Sequence, residues 1–216
     1  MEEKWKKVNP VLPLDYPDPD VIRVDDTYYM VSTTMHFMPG CVILRSYNLA
    51  DWEIYSYVYE TLELTDQECL KNGKNAYGSG TWASCIRYHN NMYYVSTFSS
   101  TTGKTYIYAT EDIEKGPWKT ITFTPSYHDH TIFFDDDGRV YIIWGGGKLR
   151  IAELKPDLSG IKEGTERIFI ENASAPSGDN VGLPAEGSQL FKVNGKYYLF
   201  NITWPKGGMR TVVIHR

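Results

Sequence analysis

The sequence predicts an all-β fold of the β-propeller type, with about four blades of antiparallel four-stranded sheet. Three observations carry this expectation. First, four stretches repeat one pattern, a tight turn feeding an aromatic strand: Asp25-Asp26-Thr27-Tyr28-Tyr29, Asn90-Asn91-Met92-Tyr93-Tyr94, Asp137-Gly138-Arg139-Val140-Tyr141 and Asn194-Gly195-Lys196-Tyr197-Tyr198. Second, short runs rich in Val, Ile, Tyr and Trp follow one another between turn residues, and helical periodicity is nearly absent. Third, the repeats place chemistry in phase. Counting back from the last Tyr of each, Asp18 lies 11 residues before Tyr29, and Trp82, Asp129 and Glu186 each lie 12 before Tyr94, Tyr141 and Tyr198. Equivalent positions of repeats set around an axis occupy equivalent places in space. Three carboxylates far apart in the chain are therefore expected to converge. A double sandwich accounts for the strands but gives no reason for the phasing.

The first blade is expected from residues 21–24, 28–33, 42–46 and 52–57, separated by Asp25-Asp26, Pro39-Gly40 and Asn48. The second is expected from 82–88, 93–98, 105–110 and 118–122, and the third from 130–134, 140–144, 149–153 and 167–170. A fourth begins with 188–193, 197–203 and 211–215 and lacks its last strand. The terminal tyrosines are spaced by 65, 47 and 57 residues, which suits one blade per repeat. Residues 64–72, with Thr65 as cap, are the one candidate for a turn or two of helix. Residues 59–80 and 172–186 read as long loops over a binding face. Three and three-quarter blades cannot close a ring without leaving edges and apolar faces bare. The 216 residues are therefore expected to be one catalytic propeller domain, incomplete at its C-terminal end, with the remainder supplied by further chain or by a partner.

Composition narrows the function. Aromatics make up 14% of the chain, with 17 tyrosines, which suits half-buried sheets and the stacking of flat apolar ligand faces such as those of sugars. A net charge of -5 argues against a nucleic-acid partner, which needs a basic footprint. Nowhere do eighteen apolar residues run together, so no membrane span is expected. The start, Met1-Glu2-Glu3-Lys4-Trp5, has no apolar signal region, and a cytoplasmic location is the expectation. Cys41, Cys69 and Cys85 form an odd set without metal spacing and read as reduced thiols.

Each carboxylate alone has an ordinary reading. Asp18, in Tyr16-Pro17-Asp18-Pro19-Asp20, looks like a turn residue, though two prolines also hold a base rigid. Asp129 stands in Tyr127-His128-Asp129-His130-Thr131, where two histidines at i and i+2 share a strand face but no third metal ligand is evident. Glu186, in Pro184-Ala185-Glu186-Gly187-Ser188, is by itself a loop glutamate. Their shared phase favours a site. Converging carboxylates suit glycoside hydrolysis: one is protonated to donate to the leaving oxygen, another is ionised to activate water. A third raises the acid's pKa by disfavouring its ionisation. Trp82 shares the axial phase and is a candidate for stacking on a sugar ring. Arg210, in Gly207-Gly208-Met209-Arg210, offers donors to a sugar hydroxyl or a carboxylate. Gly145-Gly146-Gly147-Lys148 lacks the spacing and the helix of a phosphate loop. Asp135-Asp136-Asp137-Gly138 lacks the distal Glu of a calcium loop and reads as a hairpin turn.

The ordered set Asp15-Tyr16-Pro17-Asp18-Pro19-Asp20, Val31-Ser32-Thr33-Thr34 with Phe37-Met38-Pro39-Gly40, Gly80-Thr81-Trp82-Ala83, Phe133-Phe134-Asp135-Asp136-Asp137-Gly138 and Glu186-Gly187-Ser188-Gln189-Leu190 resembles family 43 glycoside hydrolases, most of all their β-xylosidase and α-L-arabinofuranosidase branch. The resemblance implies a five-bladed propeller and an inverting exo-glycosidase acting on xylo- or arabino-oligosaccharides. It also implies Asp18 as general base, Asp129 as the residue that tunes and orients the acid, and Glu186 as general acid. It adds Phe37 to the sugar contacts. It requires no cofactor, and allows a structural calcium near the axis, as in many members. The chain departs from the pattern in having His130 where a proline usually follows the Asp129 position, and in lacking a fifth blade. A non-catalytic glycan-binding propeller, and a propeller acting on fructosides or as a phosphorylase, are the other readings.

Overall fold

The computed structural model describes residues 10–178 and 180–216, so the Met1–Trp5 reading lies outside the described residues. Four antiparallel sheets follow one another along the chain. The first comprises β1 (Asp20–Val24), β2 (Thr27–Ser32), β3 (Gly40–Ser46) and β4 (Glu53–Tyr59). The second comprises β5 (Cys85–His89), β6 (Met92–Ser99), β7 (Lys104–Thr110) and β8 (Lys119–Phe123). The third comprises β9 (Thr131–Phe134), β10 (Val140–Trp144), β11 (Leu149–Glu153) and β12 (Arg167–Ile170). The fourth has three strands, β13 (Val181–Val193), β14 (Lys196–Pro205) and β15 (Thr211–His215). Neighbouring sheets meet through their first strands, β1 beside β5, β5 beside β9 and β9 beside β13. Each sheet is therefore a blade whose first strand is innermost. This is the propeller arrangement that the repeats predict.

The repeated turns form for stereochemical reasons. Asn90 and Asn91, and Asn194 and Gly195, take positive φ in succession (49° and 59°, 52° and 72°). Two-residue hairpins demand this, and Asn and Gly accept it at low cost. The strands then alternate one face toward each neighbouring blade, and three apolar seams result. Tyr29, Val31 and Ile43 of blade 1 pack with Ile86, Val95 and Tyr108 of blade 2. Cys85 and Ile107 meet Ile132, Ile142 and Trp144. Phe133, Ile143 and Ile151 meet Leu190, Leu199 and Val213. The far face of blade 1 is covered by Leu12, Tyr16 and Trp52 against Met30, Val42 and Leu44. The far face of blade 4 leaves Phe191, Val193, Val212 and Ile214 exposed.

Several boundaries differ from the sequence expectation. Residues 64–72 form turns and no helix. Thr65 does cap, its Oγ1 accepting from the Glu68 N–H at 3.2 Å. Leu70 and Asn72 then take left-handed φ of 53° and end the turn before a helix grows. β5 starts at Cys85, because the Ser84 hydroxyl turns back to the Trp82 carbonyl and to Thr97. β13 begins at Val181, inside the stretch expected to be loop, and is kept paired to β14 by register shifts. All three cysteines are free thiols. Among the described residues no helix is long and apolar enough to cross a membrane.

One side chain reaches all four inner strands. Arg87, buried on β5, donates from Nη1 to Asp20 Oδ2 of β1 at 2.6 Å, and from Nε to the Ile132 carbonyl of β9 at 3.0 Å. Its Nη2 donates to Thr131 Oγ1 of β9 and to Gln189 Oε1 of β13, both at 2.5 Å. Asp20 Oδ2 also accepts the Ile86 N–H at 2.9 Å. The axis thus already carries a fixed positive charge. Calcium asks for six to eight oxygens. Three side-chain oxygens at this point, Asp20 Oδ2, Thr131 Oγ1 and Gln189 Oε1, are already engaged by the guanidinium.

Breaking a buried ion pair by removing one partner costs about 3–5 kcal/mol, because the other charge stays behind. Arg87→Met is expected to lose stability of that order, read as a lowered urea midpoint with an unchanged slope. A loss below about 1 kcal/mol, the range of an exposed pair, would show that the four-strand contact does not hold the axis.

Candidate active site

Above Arg87 the inner strands open into a cavity of about 530 Å³ that Asp18, Asp129 and Glu186 line together. Each reaches it by a different local device. Asp18 precedes β1 with φ of 51°, between prolines. The Pro17 carbonyl before it accepts from the Thr33 N–H (3.1 Å) and the Ser32 hydroxyl (2.6 Å), and Thr33 Oγ1 donates to Asp18 Oδ2 at 3.0 Å. Asp129 precedes β9 with φ of 47°. A left-handed backbone at two non-glycine carboxylates is local strain of the kind that sites retain. Glu186 lies within β13 between two register shifts, followed by Gly187 at φ 65°. The bulges re-aim its side chain out of the ordinary alternation.

The glycine run set aside as a phosphate loop has a different role. The Gly147 N–H donates to the Ala185 carbonyl at 2.8 Å, and the Gly145 N–H to the His128 carbonyl at 3.2 Å. Gly145 sits at φ 119°, where a Cβ would stand 2.5 Å from the Lys148 carbonyl oxygen, so no larger residue fits there. The run thereby fastens the Asp129 and Glu186 segments side by side.

His128 Nε2 lies 3.1 Å from Glu186 Oε2 and 3.8 Å from Asp129 Oδ2, making a tight trio with the two carboxylates. The sequence weighs His128 only as a metal ligand paired with His130. In the structure His130 is buried and satisfied, its Nε2 on Ser96 Oγ (2.8 Å) and its Nδ1 on the Tyr127 carbonyl (2.9 Å). Burial pushes its pKa down to about 4, which keeps it neutral. For Asp129, burial is the main cause that pushes the pKa up to about 6. Glu186 and Asp18 act in the same direction, and His128 opposes. The hydrogen bond to Glu186 holds His128 above the usual imidazole range.

The remaining expectations fare unevenly. Arg210 lines the rim of the cavity, its guanidinium 5.3 Å from the centre of the Trp204 ring. Trp82 is about one-third exposed, and it is the next two residues, Ala83 and Ser84, that line the wall. Equal phase fixes where its Cα sits and not where its ring points. Phe37 belongs to a neighbouring cavity and does not line the carboxylate one. Asn201 is buried beside the site. Its Nδ2 donates to the Glu186 carbonyl (3.3 Å) and to Ser188 Oγ (2.9 Å), while its Oδ1 has no partner. That orphaned acceptor suits a ligand hydroxyl.

The Asp129 shift has a signed consequence for stability. The folded carboxyl binds its proton more tightly than the unfolded one does. Its contribution is therefore fully present below the ordinary value of 3.8 and is lost as the pH rises through about 6, by on the order of 3 kcal/mol. Asp129→Asn is expected to raise the melting temperature at about pH 7.5 and to leave it unchanged near pH 4. An equal gain at both pH values would assign it to packing.

The family model of Glycosyl hydrolases family 43 matches residues 8–211. A beta-xylosidase of Formosa agariphila is 32% identical to the chain, over 94% of the chain and 35% of that protein. A non-reducing end alpha-L-arabinofuranosidase of Bacteroides ovatus is 26% identical, over 96% of the chain and 38% of that protein. A solved structure described as a bifunctional GH43-CE protein of Bacteroides eggerthii superposes with a TM-score of 0.94 at 63% identity, covering 96% of the chain and 27% of that protein. The chain spans little more than a third of the length of these curated relatives. With the matched span running through all four blades and the three carboxylates, the chain belongs to glycoside hydrolase family 43.

Proposed function

We propose that the protein carrying this chain is an inverting exo-glycosidase that removes terminal xylosyl or arabinofuranosyl residues from hemicellulose-derived oligosaccharides. The observation that carries this reading is the grouping of Asp18, Asp129 and Glu186 in one cavity, with His128 and Asp129 close against Glu186. The names of the xylosidase and arabinofuranosidase relatives support the substrate class.

In the proposed reaction Asp18, steadied by Thr33, takes a proton from water as the water oxygen bonds to the anomeric carbon. The glycosidic C–O bond breaks on the opposite side, and Glu186 gives its proton to the departing oxygen. Asp129 and His128, both against Glu186, set its orientation and proton occupancy. Asn201 Oδ1 and Arg210 offer an acceptor and donors to sugar hydroxyls. Acid, base and tuning groups all come from this chain, so the reaction as proposed calls on no cofactor. A further blade, from the rest of the protein or a partner, would cover the bare face of Phe191, Val212 and Ile214.

Glu186→Gln and Asp18→Asn are each expected to lower hydrolysis of nitrophenyl xylosides or arabinofuranosides by about 10²–10⁴-fold in the full-length protein. Proton NMR of the first-formed sugar should show the anomer opposite to that of the substrate. A retained anomer would overturn inversion. Sugar binding without cleavage by the unmodified protein would replace the enzyme by a glycan-binding propeller.

A further inference from the structure

A second cavity, of about 650 Å³, lies between the 34–38 segment and the loop of residues 59–80, and shares no lining residue with the carboxylate cavity. It contains two anomalies. Glu68 is 4% exposed, and neither carboxylate oxygen has a hydrogen-bond partner. His36 Nδ1, in the same wall, is also buried and unpartnered. Burying an unpaired carboxylate is costly, and native structures rarely keep one without a use. Lys104 is engaged elsewhere: its Nζ lies 2.6 Å from Glu63 Oε1, which also accepts from Tyr106. Burial, with Glu63 adding to it, holds the Glu68 carboxyl above the usual carboxylate range.

The rest of the cavity indicates what would satisfy these groups. Phe37 and Tyr77, both well exposed, stand edge-on at the mouth with ring centres 6.2 Å apart, and His36 lies 4.4 Å from Tyr77. Gln67 and Asn75 supply neutral polar groups to the walls, and among the described residues no Lys or Arg lines them. Such a site accepts hydroxyl donors and an apolar ring face, and it offers nothing to an anionic sugar. It adjoins the catalytic cavity: Thr33 holds Asp18, the next residue Thr34 lines the second cavity, and Thr34 bridges to Thr81, one residue before Trp82.

We infer that this cavity binds a second, neutral glycosyl unit of the substrate, with Glu68 and His36 as its hydrogen-bonding partners and Phe37 and Tyr77 as its stacking wall. The inference rests on the glycosidase reading and adds to it a preference for neutral, longer or branched pentose oligosaccharides over single glycosides. Phe37, matched to a sugar contact by resemblance, contacts this unit and not the one being cleaved.

The test uses the full-length protein with Glu68→Leu and, at an exposed position that does not endanger folding, Tyr77→Ala. Both are expected to raise KM for arabinose-substituted xylotriose by about tenfold, the effect of losing one good polar or stacking contact. Turnover of nitrophenyl xyloside or arabinofuranoside should stay unchanged, and Glu68→Gln should recover part of the loss. Glu68→Leu should also melt at a higher temperature, since it removes an uncompensated buried carboxyl. Equal effects on both substrate classes, or none on either, would overturn the inference. So would a crystal structure of the full-length protein with this cavity filled by its own polypeptide or by a cation. If the unmodified protein cleaves no nitrophenyl glycoside, the glycosidase reading fails by itself. Calorimetric titration of the same oligosaccharide then decides the cavity: weakened binding by Glu68→Leu sustains it, and undiminished binding overturns it.

Discussion

The structure depends on a positive charge held out of water at the meeting point of four strands. The Arg87 guanidinium has five N–H donors in a rigid fork, and it finds partners on β1, β9 and β13 while β5 carries it. An apolar side chain there would fill space but fix no register. A guanidinium with named acceptors on each neighbour fixes how far every inner strand is advanced along the axis. Gln189, one of those acceptors, also lines the carboxylate cavity, so the axis and the site share a side chain.

Above that anchor, the catalytic candidates sit where regular structure gives way. Asp18 and Asp129 stand two residues before the strands they introduce, in a conformation that most side chains avoid, and Glu186 stands between bulges. A carboxylate inside a regular inner strand would point into a seam between blades. The departures from regularity turn the three toward common space. The backbone strain is held by specific contacts, the Pro17 carbonyl on Ser32 and Thr33, and the glycine run on Ala185 and His128.

What the sequence disclosed follows from what each signal measures. Two-residue alternation and the Asn-Asn and Asn-Gly turns are local, so strands and hairpins could be placed. The repeat phase registers Cα positions, and it brought together residues 18, 129 and 186. Phase does not give side-chain direction, so Trp82 shares the register of the carboxylates without lining their cavity, and Phe37, matched by resemblance, lines the neighbouring one. Arg87 escaped notice because a lone arginine in a strand usually faces solvent, and nothing local marks its partners, the farthest 102 residues away. His128 was weighed against His130, its neighbour in the chain, when its true partner lies 58 residues on. The aborted helix shows the limit of capping logic. Thr65 starts the turn as expected, and two left-handed residues stop it.

The blades are joined in series by three apolar seams, and the proposed base and acid belong to the first and last of them. Any small rotation at one seam is therefore carried outward and adds to those at the others before it reaches the gap between Asp18 and Glu186. Well-packed interiors transmit such displacements because they compress little. A methyl group removed between Val95 and Val31 would be registered as a change in the spacing of two oxygens that neither valine touches. The fine adjustment of the reaction is thus distributed through the hydrophobic interior of the whole chain.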